Sequence, residues 1–413
     1  MLISSLESNR SGDFYRMTAR IEWEDCDDPA QEVFFETHVA NLPGEPEVRA
    51  DAFMTAAVMP ALVAGERRVF AEAPVCPELM GNLRAATQMM ASWLRCRRNA
   101  APVISSAGPV CLPIASNRTA ASMLSGGIDS LAVIAGNTQT IPRDHPLSIK
   151  RCIFVNGFDI GGFHEDPSGE VFLRMAANLE AILKPLDLRL TTVRTNLIEL
   201  NKRQKFWARV QHGAGCSSVG HFLGHSVHTL FIGSTFSADR LEPWGSHVSL
   251  DPYFSSGATR IIHKGSELNR FEKTRAVCEN AEFRKRIVVC WDSEKAFESG
   301  ALNCGVCTKC IRTKIAYRAL GILDEAAPFA DISLDPDSVR RMRLGNSLAA
   351  SFFEELSGPL GEANETALQE AVSHALRRYR LRRLLSYSGH RFVKRFVAKK
   401  WHGMIGSLDR LGS

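Results

Sequence analysis

The sequence predicts an α/β protein, a parallel sheet covered by helices on both faces, with a leading α+β module before it and a helical region after it. Three observations predict this. From about residue 118 to 322, short apolar runs alternate with stretches of helical spacing, the pattern of strands buried on both sides. A segment rich in glycine and serine, Ser125-Gly126-Gly127-Ile128-Asp129-Ser130, falls where the first such strand turns into the first helix. The chain of 413 residues is also long enough for two domains, and its 45% hydrophobic and 23% charged residues are ordinary for a globular protein.

The elements follow in order. In residues 1–115, "RIEWED" and "EVFFETHVA" alternate in the manner of strands, whereas "DAFMTAAVMPALVAG" and "MGNLRAATQMMASWLRC" have helical spacing. "APVISSAGPV" predicts a short strand closed by a Gly-Pro turn. The core, residues 116–325, begins with the strand "TAASML" and the helix "SLAVIAGN". It continues with the strand "KRCIFVNGF", a long helix through "GEVFLRMAANLEAILKPL", the strand "LRLTTVRTNL", the helix "GCSSVGHFLGHSVH" and the strand "TLFIGST". "RIIHKGSELNRFEKTRAVCENAEF" predicts strand, turn and helix, and "RIVVCW" a further short strand. Residues 326–413 turn polar and helical. Between Arg377 and Lys400 lie ten Lys/Arg and no acidic residue, so a net charge of +5 hides a body of −5.

No apolar run approaches the roughly 18 residues that cross a bilayer, and "MLISSLESNRSGDFYRM" lacks the basic and apolar regions of a signal peptide. A cytoplasmic location is therefore expected. In a reducing compartment, clustered cysteines point to metal or catalysis and scattered ones to the core. Of eleven cysteines, Cys304, Cys307 and Cys310 are clustered. Their C-x-x-C spacing brings thiolates to one tetrahedral ion, with Cys290 or Cys278 as the fourth ligand of a Zn²⁺ site. The other readings of the cluster are a redox or sulfur-carrying pair and an iron–sulfur cluster. Zinc would anchor the end of "RIVVCW" to the next helix, where the segment is too short for a core of its own.

Ser125 to Ser130 suits a phosphate chain. A tight turn from strand to helix leaves the first N–H groups unpaired at the positive end of the helix dipole, where anions settle. Gly126 and Gly127 let the backbone bend closely, the two serines add hydroxyl donors, and Asp129 is expected to hold Mg²⁺ or to orient the loop. No Gly-Lys-Ser/Thr follows, so this is not a Walker A loop.

The segment resembles the Ser-Gly-Gly-x-Asp-Ser signature of the N-type ATP pyrophosphatases, or PP-loop enzymes. That resemblance implies a Rossmann-like HUP-type core and cleavage of ATP between its α and β phosphates. With Cys290, Cys304, Cys307, Cys310 and the following Arg312, the chain is most similar to the 7-cyano-7-deazaguanine synthases of queuosine biosynthesis. It departs from them after the second strand, where "NGFDIGGFHED" retains only His164 of a Tyr-Gly-Gln-x-His stretch.

What the resemblance implies is an AMP- and pyrophosphate-forming ligase that adenylates a carboxylate and passes it to ammonia or an amine. Asn156, Gly157 and Asp159 would then face the adenine and ribose, and Gly233 and Ser234 the nucleotide pocket. Glu267, Arg270 and Lys273 share a helical face, and Arg270 and Lys273 would stabilise charge developing on the α-phosphate. Asp129, Ser130, Arg270 and Lys273 are thus the expected catalytic residues.

Trp244, Ser246 and His247 could cap an acceptor pocket and Asp251 bind a metal or amine, whereas His212, His221, His225 and His228 are expected to pack. Expected partners are ATP, a small carboxylate or peptide substrate and a separate ammonia donor. The basic tail offers nucleic acid, an anionic membrane surface or a protein partner, and a homodimer is compatible with the sequence. Two other functions fit the same residues, a tRNA-thiolating enzyme whose cysteines handle sulfur and a non-catalytic nucleotide-binding scaffold.

Overall fold

The computed structural model describes residues 1–42, 49–94, 100–110, 117–290, 296, 300–325 and 328–385. Two units separate, Met1–Asn303 and Cys304–Ser413.

In the first unit ten strands form one sheet, mostly parallel, in the order β10-β9-β6-β7-β8-β3-β2-β1-β4-β5. Alternation makes the antiparallel part. β1 (Leu2–Ser11), β2 (Phe14–Glu22) and β3 (Gln31–His38) form a meander. In β2, Tyr15, Met17, Ala19 and Ile21 point into the core, as do Val33, Phe35 and Thr37 in β3. β4 (Arg68–Ala71) and β5 (Val103–Ser106) add parallel strands beyond β1. The strands of the leading 115 residues thus belong to the same sheet as the predicted core, joined where β3 pairs antiparallel with β8. Against them lies α1 (Asp51–Ala64), buried from Asp51 to Leu62 because it is apolar on nearly every side, and α2 (Pro77–Leu94).

The parallel half comprises β6 (Thr119–Met123), β7 (Ile149–Asn156), β8 (Arg189–Thr195), β9 (Val227–Gly233) and β10 (Arg260–Lys264). From β8 to β10 these are the third, second, first, fourth and fifth strands of the segment. That is a doubly wound order whose reversal lies between β6 and β9, the place where such sheets open a crevice. The connecting helices are α3 (Ile128–Thr140), α4 (Glu170–Leu183), α5 (Gln204–Phe206) and α6 (His212–Phe222). A π-helical turn, Trp207–Gln211, links the last two. α6 packs against α1, and Gln211 Nε2, just before it, donates to Ala56 O at 2.8 Å. α7 (Arg270–Cys278) begins with a capping box between Asn269 and Glu272, and α8 (Ala281–Arg286) is capped by Asn280. The short strand expected at "RIVVCW" does not form. α8 takes Arg286, and Ile287–Cys290 is irregular chain whose Val288 N–H donates to Gly126 O.

The second unit holds α9 (Thr308–Ala319), α10 (Pro336–Arg341), α11 (Ser347–Glu354), α12 (Ser357–Glu362) and a last helix over residues 366–385. Among the described residues no helix is long and apolar enough to cross a membrane. Of the basic tail, residues 386–413 lie outside the described residues.

Burial pushes the His212, His221 and His247 imidazoles below the ordinary histidine value. The unfolded chain therefore takes up protons below about pH 6.5 that the folded one refuses, so stability is full above that pH and lost as pH falls below it. The thermal midpoint is expected to be level between about pH 7 and 8 and to fall between about 6.5 and 5. A flat midpoint across that interval would remove the histidines from the stability of this fold.

Candidate nucleotide site and cysteine centre

The glycine segment leaves the carboxyl end of β6 and turns into α3 beside the carboxyl end of β9. Gly126 has φ +79°, a left-handed conformation that favours glycine, and a Cβ there would come 3.1 Å from Leu179 Cδ2. Gly127 is the N-cap and no side chain caps it, so the first N–H groups of α3 are not met by a capping side chain. The serines set the turn: Ser130 Oγ donates to Gly127 O at 3.0 Å, and Ser125 Oγ accepts from Gly127 N at 3.4 Å. A cavity opens here, with Ser125, Asp129 and Ser130 on one side and Gly233 and Thr235 at the end of β9.

Asp129 in the first turn of α3 meets both cations of α7. Arg270 Nη1 lies 2.5 Å from its Oδ2 and Lys273 Nζ 3.7 Å from its Oδ1. Lys273 is 1% exposed, and its ammonium is also held by Ser234 O at 2.7 Å. Asp129 Oδ1 is buried and makes no hydrogen bond. Three of the expected catalytic residues thus converge, and Ser130 lies one residue away. Ser234 contributes through its carbonyl, since its own hydroxyl donates to Phe236 O at 2.6 Å.

Gly233 is fixed by close approach. A Cβ at this position would lie 2.9 Å from Asp129 O, backbone that has no room to give. Gly233→Ala is therefore expected to cost about 1–3 kcal/mol in denaturant unfolding. Gly136→Ala, at a helical position where a Cβ meets nothing, should gain roughly 0.5–1 kcal/mol.

Of the opposite wall of the cavity the sequence points only to Asp159. That wall consists of Phe158, Asp159, Ile160, Trp207, His212 and Cys216. The π turn before α6 aims His212 inward, and its Nε2 lies 3.9 Å from Cys216 Sγ one turn later. Burial lowers the affinity of His212 for protons and raises that of Cys216, so imidazole and thiol are both neutral near pH 7. Only the π turn, a long-range feature with no local signature, separates this histidine from a packing one.

Asn156 lines a neighbouring cavity with Glu36, Thr37 and Arg194, and neither it nor Gly157 borders the β6–β9 cavity. Asp251 does not face open space. It is fully buried, accepting from Ser246 Oγ at 2.7 Å and His247 N at 3.1 Å, with His263 Nδ1 at 2.8 Å. It pins the long loop after β9, and Trp244 packs on Phe236. His221 packs as expected, bonded to Phe254 O at 2.8 Å. Glu267 precedes α7, before its N-cap Asn269, so it does not share the helical face of Arg270 and Lys273, and it pairs with Lys264.

The sulfurs of Cys290, Cys304, Cys307 and Cys310 all lie within 4.8 Å of one another, and Cys278, buried in α7, is outside the group. Cys304 to Cys310 is 3.8 Å and Cys307 to Cys310 3.4 Å. Tetrahedral zinc with bonds of about 2.3 Å needs sulfurs about 3.8 Å apart, so the group can hold a metal such as zinc. Gly305, at φ +77°, makes the knuckle between Cys304 and Cys307, and a Cβ there would lie 2.4 Å from Asp331 O. Lys314, on the helix that carries Cys310, is buried and donates to Asp331 O and Ser333 O. Asn303, fully buried and unforeseen in the sequence, accepts from Val289 N and Cys290 N and donates to Ile287 O, fixing the backbone at Cys290.

Comparison with protein-family models, with curated proteins and with solved structures finds no match to this chain.

Proposed function

We propose that this chain is an ATP-dependent, AMP- and pyrophosphate-forming ligase that adenylates a carboxylate and passes it to ammonia or an amine. One observation carries the reading: the start of α3, with no capping side chain, opens into a cavity at the sheet's switch point with Arg270 and Lys273 gathered on Asp129. The N–H groups of α3 and the hydroxyls of Ser125 and Ser130 would grip the pyrophosphate part of ATP. Asp129 Oδ1, buried, without a hydrogen bond and 3.7 Å from Lys273 Nζ, suits Mg²⁺, which would shield the phosphate charge.

In the reaction, a carboxylate oxygen attacks the α-phosphorus, the bond to the bridging oxygen breaks, and pyrophosphate leaves with the electron pair. Arg270 and Lys273 offset the charge that builds there. Nitrogen then attacks the acyl carbon, AMP departs, and the nitrogen's proton passes to His212, which is neutral and therefore able to accept it. The wall of Phe158, Ile160 and Trp207 would seat the acid and exclude water from the acyl adenylate.

Convergence of four sulfurs on one point supports a structural metal rather than sulfur transfer. The test is pyrophosphate release from ATP and ammonia across a panel of acids, with a mass-spectrometric search for an adenylated acid. ATP binding with no pyrophosphate from any acid would leave the scaffold reading instead.

A further inference from the structure

The last helix, residues 366–385, buries Leu368, Ala371, Val372, Ala375 and Leu376 along one side. Its final turns carry a second apolar stripe. Leu381, Leu384 and Leu385, at i, i+3 and i+4, fall on the side opposite the buried one and are 59%, 66% and 69% exposed. Arg377, Arg378, Arg380, Arg382 and Arg383 flank them, and Arg380 is held to Glu354. The sequence beyond keeps this composition, with Arg391, Lys394, Arg395, Lys399 and Lys400 among Phe392, Val393, Phe396 and Val397.

We propose that the last turns of this helix dock on an anionic lipid surface, with the leucines entering the boundary between headgroups and acyl chains and the arginines meeting phosphates. Two properties choose lipid over RNA. Clustered aliphatic side chains offer nothing to a phosphate backbone or a base edge, yet they gain by leaving water in a bilayer interface. Between Arg377 and Leu385 the helix carries five arginines and no acidic residue, so an anionic leaflet attracts it. A helix carrying its core face on one side and leucines on the other has two apolar surfaces, and among the described residues only the first is buried.

The full-length chain would be sedimented with vesicles of phosphatidylcholine alone or mixed with phosphatidylglycerol, with a homopolymeric RNA tested in parallel. Binding to the mixed vesicles and not to the neutral ones, weakening as salt rises, is expected. The double variant Leu381→Ser/Leu384→Ser should bind about tenfold more weakly with an unchanged thermal midpoint. Equal vesicle binding by parent and variant overturns the proposal, as does failure to bind anionic vesicles. RNA binding without vesicle binding would assign the surface to nucleic acid. A lowered midpoint in the variant, with no vesicle binding, would show that residues 386–413 cover the leucines, and this too overturns it.

Discussion

Asp129→Asn is expected to lower acid-dependent pyrophosphate release by about a hundredfold while leaving the protein folded. The substitution keeps the side chain's shape and removes the charge that holds Arg270 at 2.5 Å and Lys273 at 3.7 Å. Both cations would then relax toward other acceptors, and Lys273, already on Ser234 O, would sit in a nearly closed site without its counter-charge. The half-exposed ion pair of Arg286 with Glu282, elsewhere on the surface, provides the contrast. Arg286→Ala should change stability by no more than about 0.5 kcal/mol and leave pyrophosphate release unaltered. A coupled pyrophosphate assay and circular dichroism, run on both variants, separate a catalytic loss from a folding loss. If Asp129→Asn released pyrophosphate at the parent rate, the assignment of this carboxylate would fail.

The second large effect concerns the cysteine centre. Purified protein should contain one zinc per chain by elemental analysis, and Cys307→Ser or a strong chelator should remove it. Binding free energy at a structural zinc is folding free energy, because the unfolded chain has no preformed site. Loss of one thiolate is therefore expected to cost on the order of 5 kcal/mol. Cys278→Ser, which alters a buried cysteine outside the group, should leave the zinc content at one. Protein that carries no metal, and a Cys307→Ser variant as stable as the parent, would together overturn the centre.

What could be read from the sequence was local. The strand-to-helix turn at Ser125–Ser130 announces itself because glycine, hydroxyl and carboxylate must stand within six residues to make it. The C-x-x-C knuckles are legible for the same reason. Strands β6 to β10 follow from apolar runs of the right length. β1 has no legible strand pattern because its pairing with β2 shifts between Ser4 and Glu7, with Ser5 at φ 48°, which breaks the alternation. "RIVVCW" has the composition of a strand, but Val288 bonds Gly126 O and no ladder forms. His212 was indistinguishable from a packing histidine, since its aim depends on the π turn and on tertiary contacts. The ion pair of Arg270 with Asp129 spans 141 positions, and no periodicity reports on contacts of that kind.

The junction of β3 with β8 has a consequence for synthesis. β3 ends at His38 and its partner β8 begins at Arg189. Only three residue pairs, Phe35 with Thr195, Glu36 with Arg194 and Thr37 with Val193, make the ladder, reinforced by Asn196, which bonds Phe34 N and Glu32 O. A ribosome adding roughly 5–20 residues per second makes β3 and then needs on the order of ten seconds to deliver the strand that seals its outer edge. Throughout that interval the nascent meander presents an open row of peptide groups, a template for pairing with neighbouring chains. Chaperone dependence and losses to inclusion bodies during fast overproduction should therefore originate at this edge.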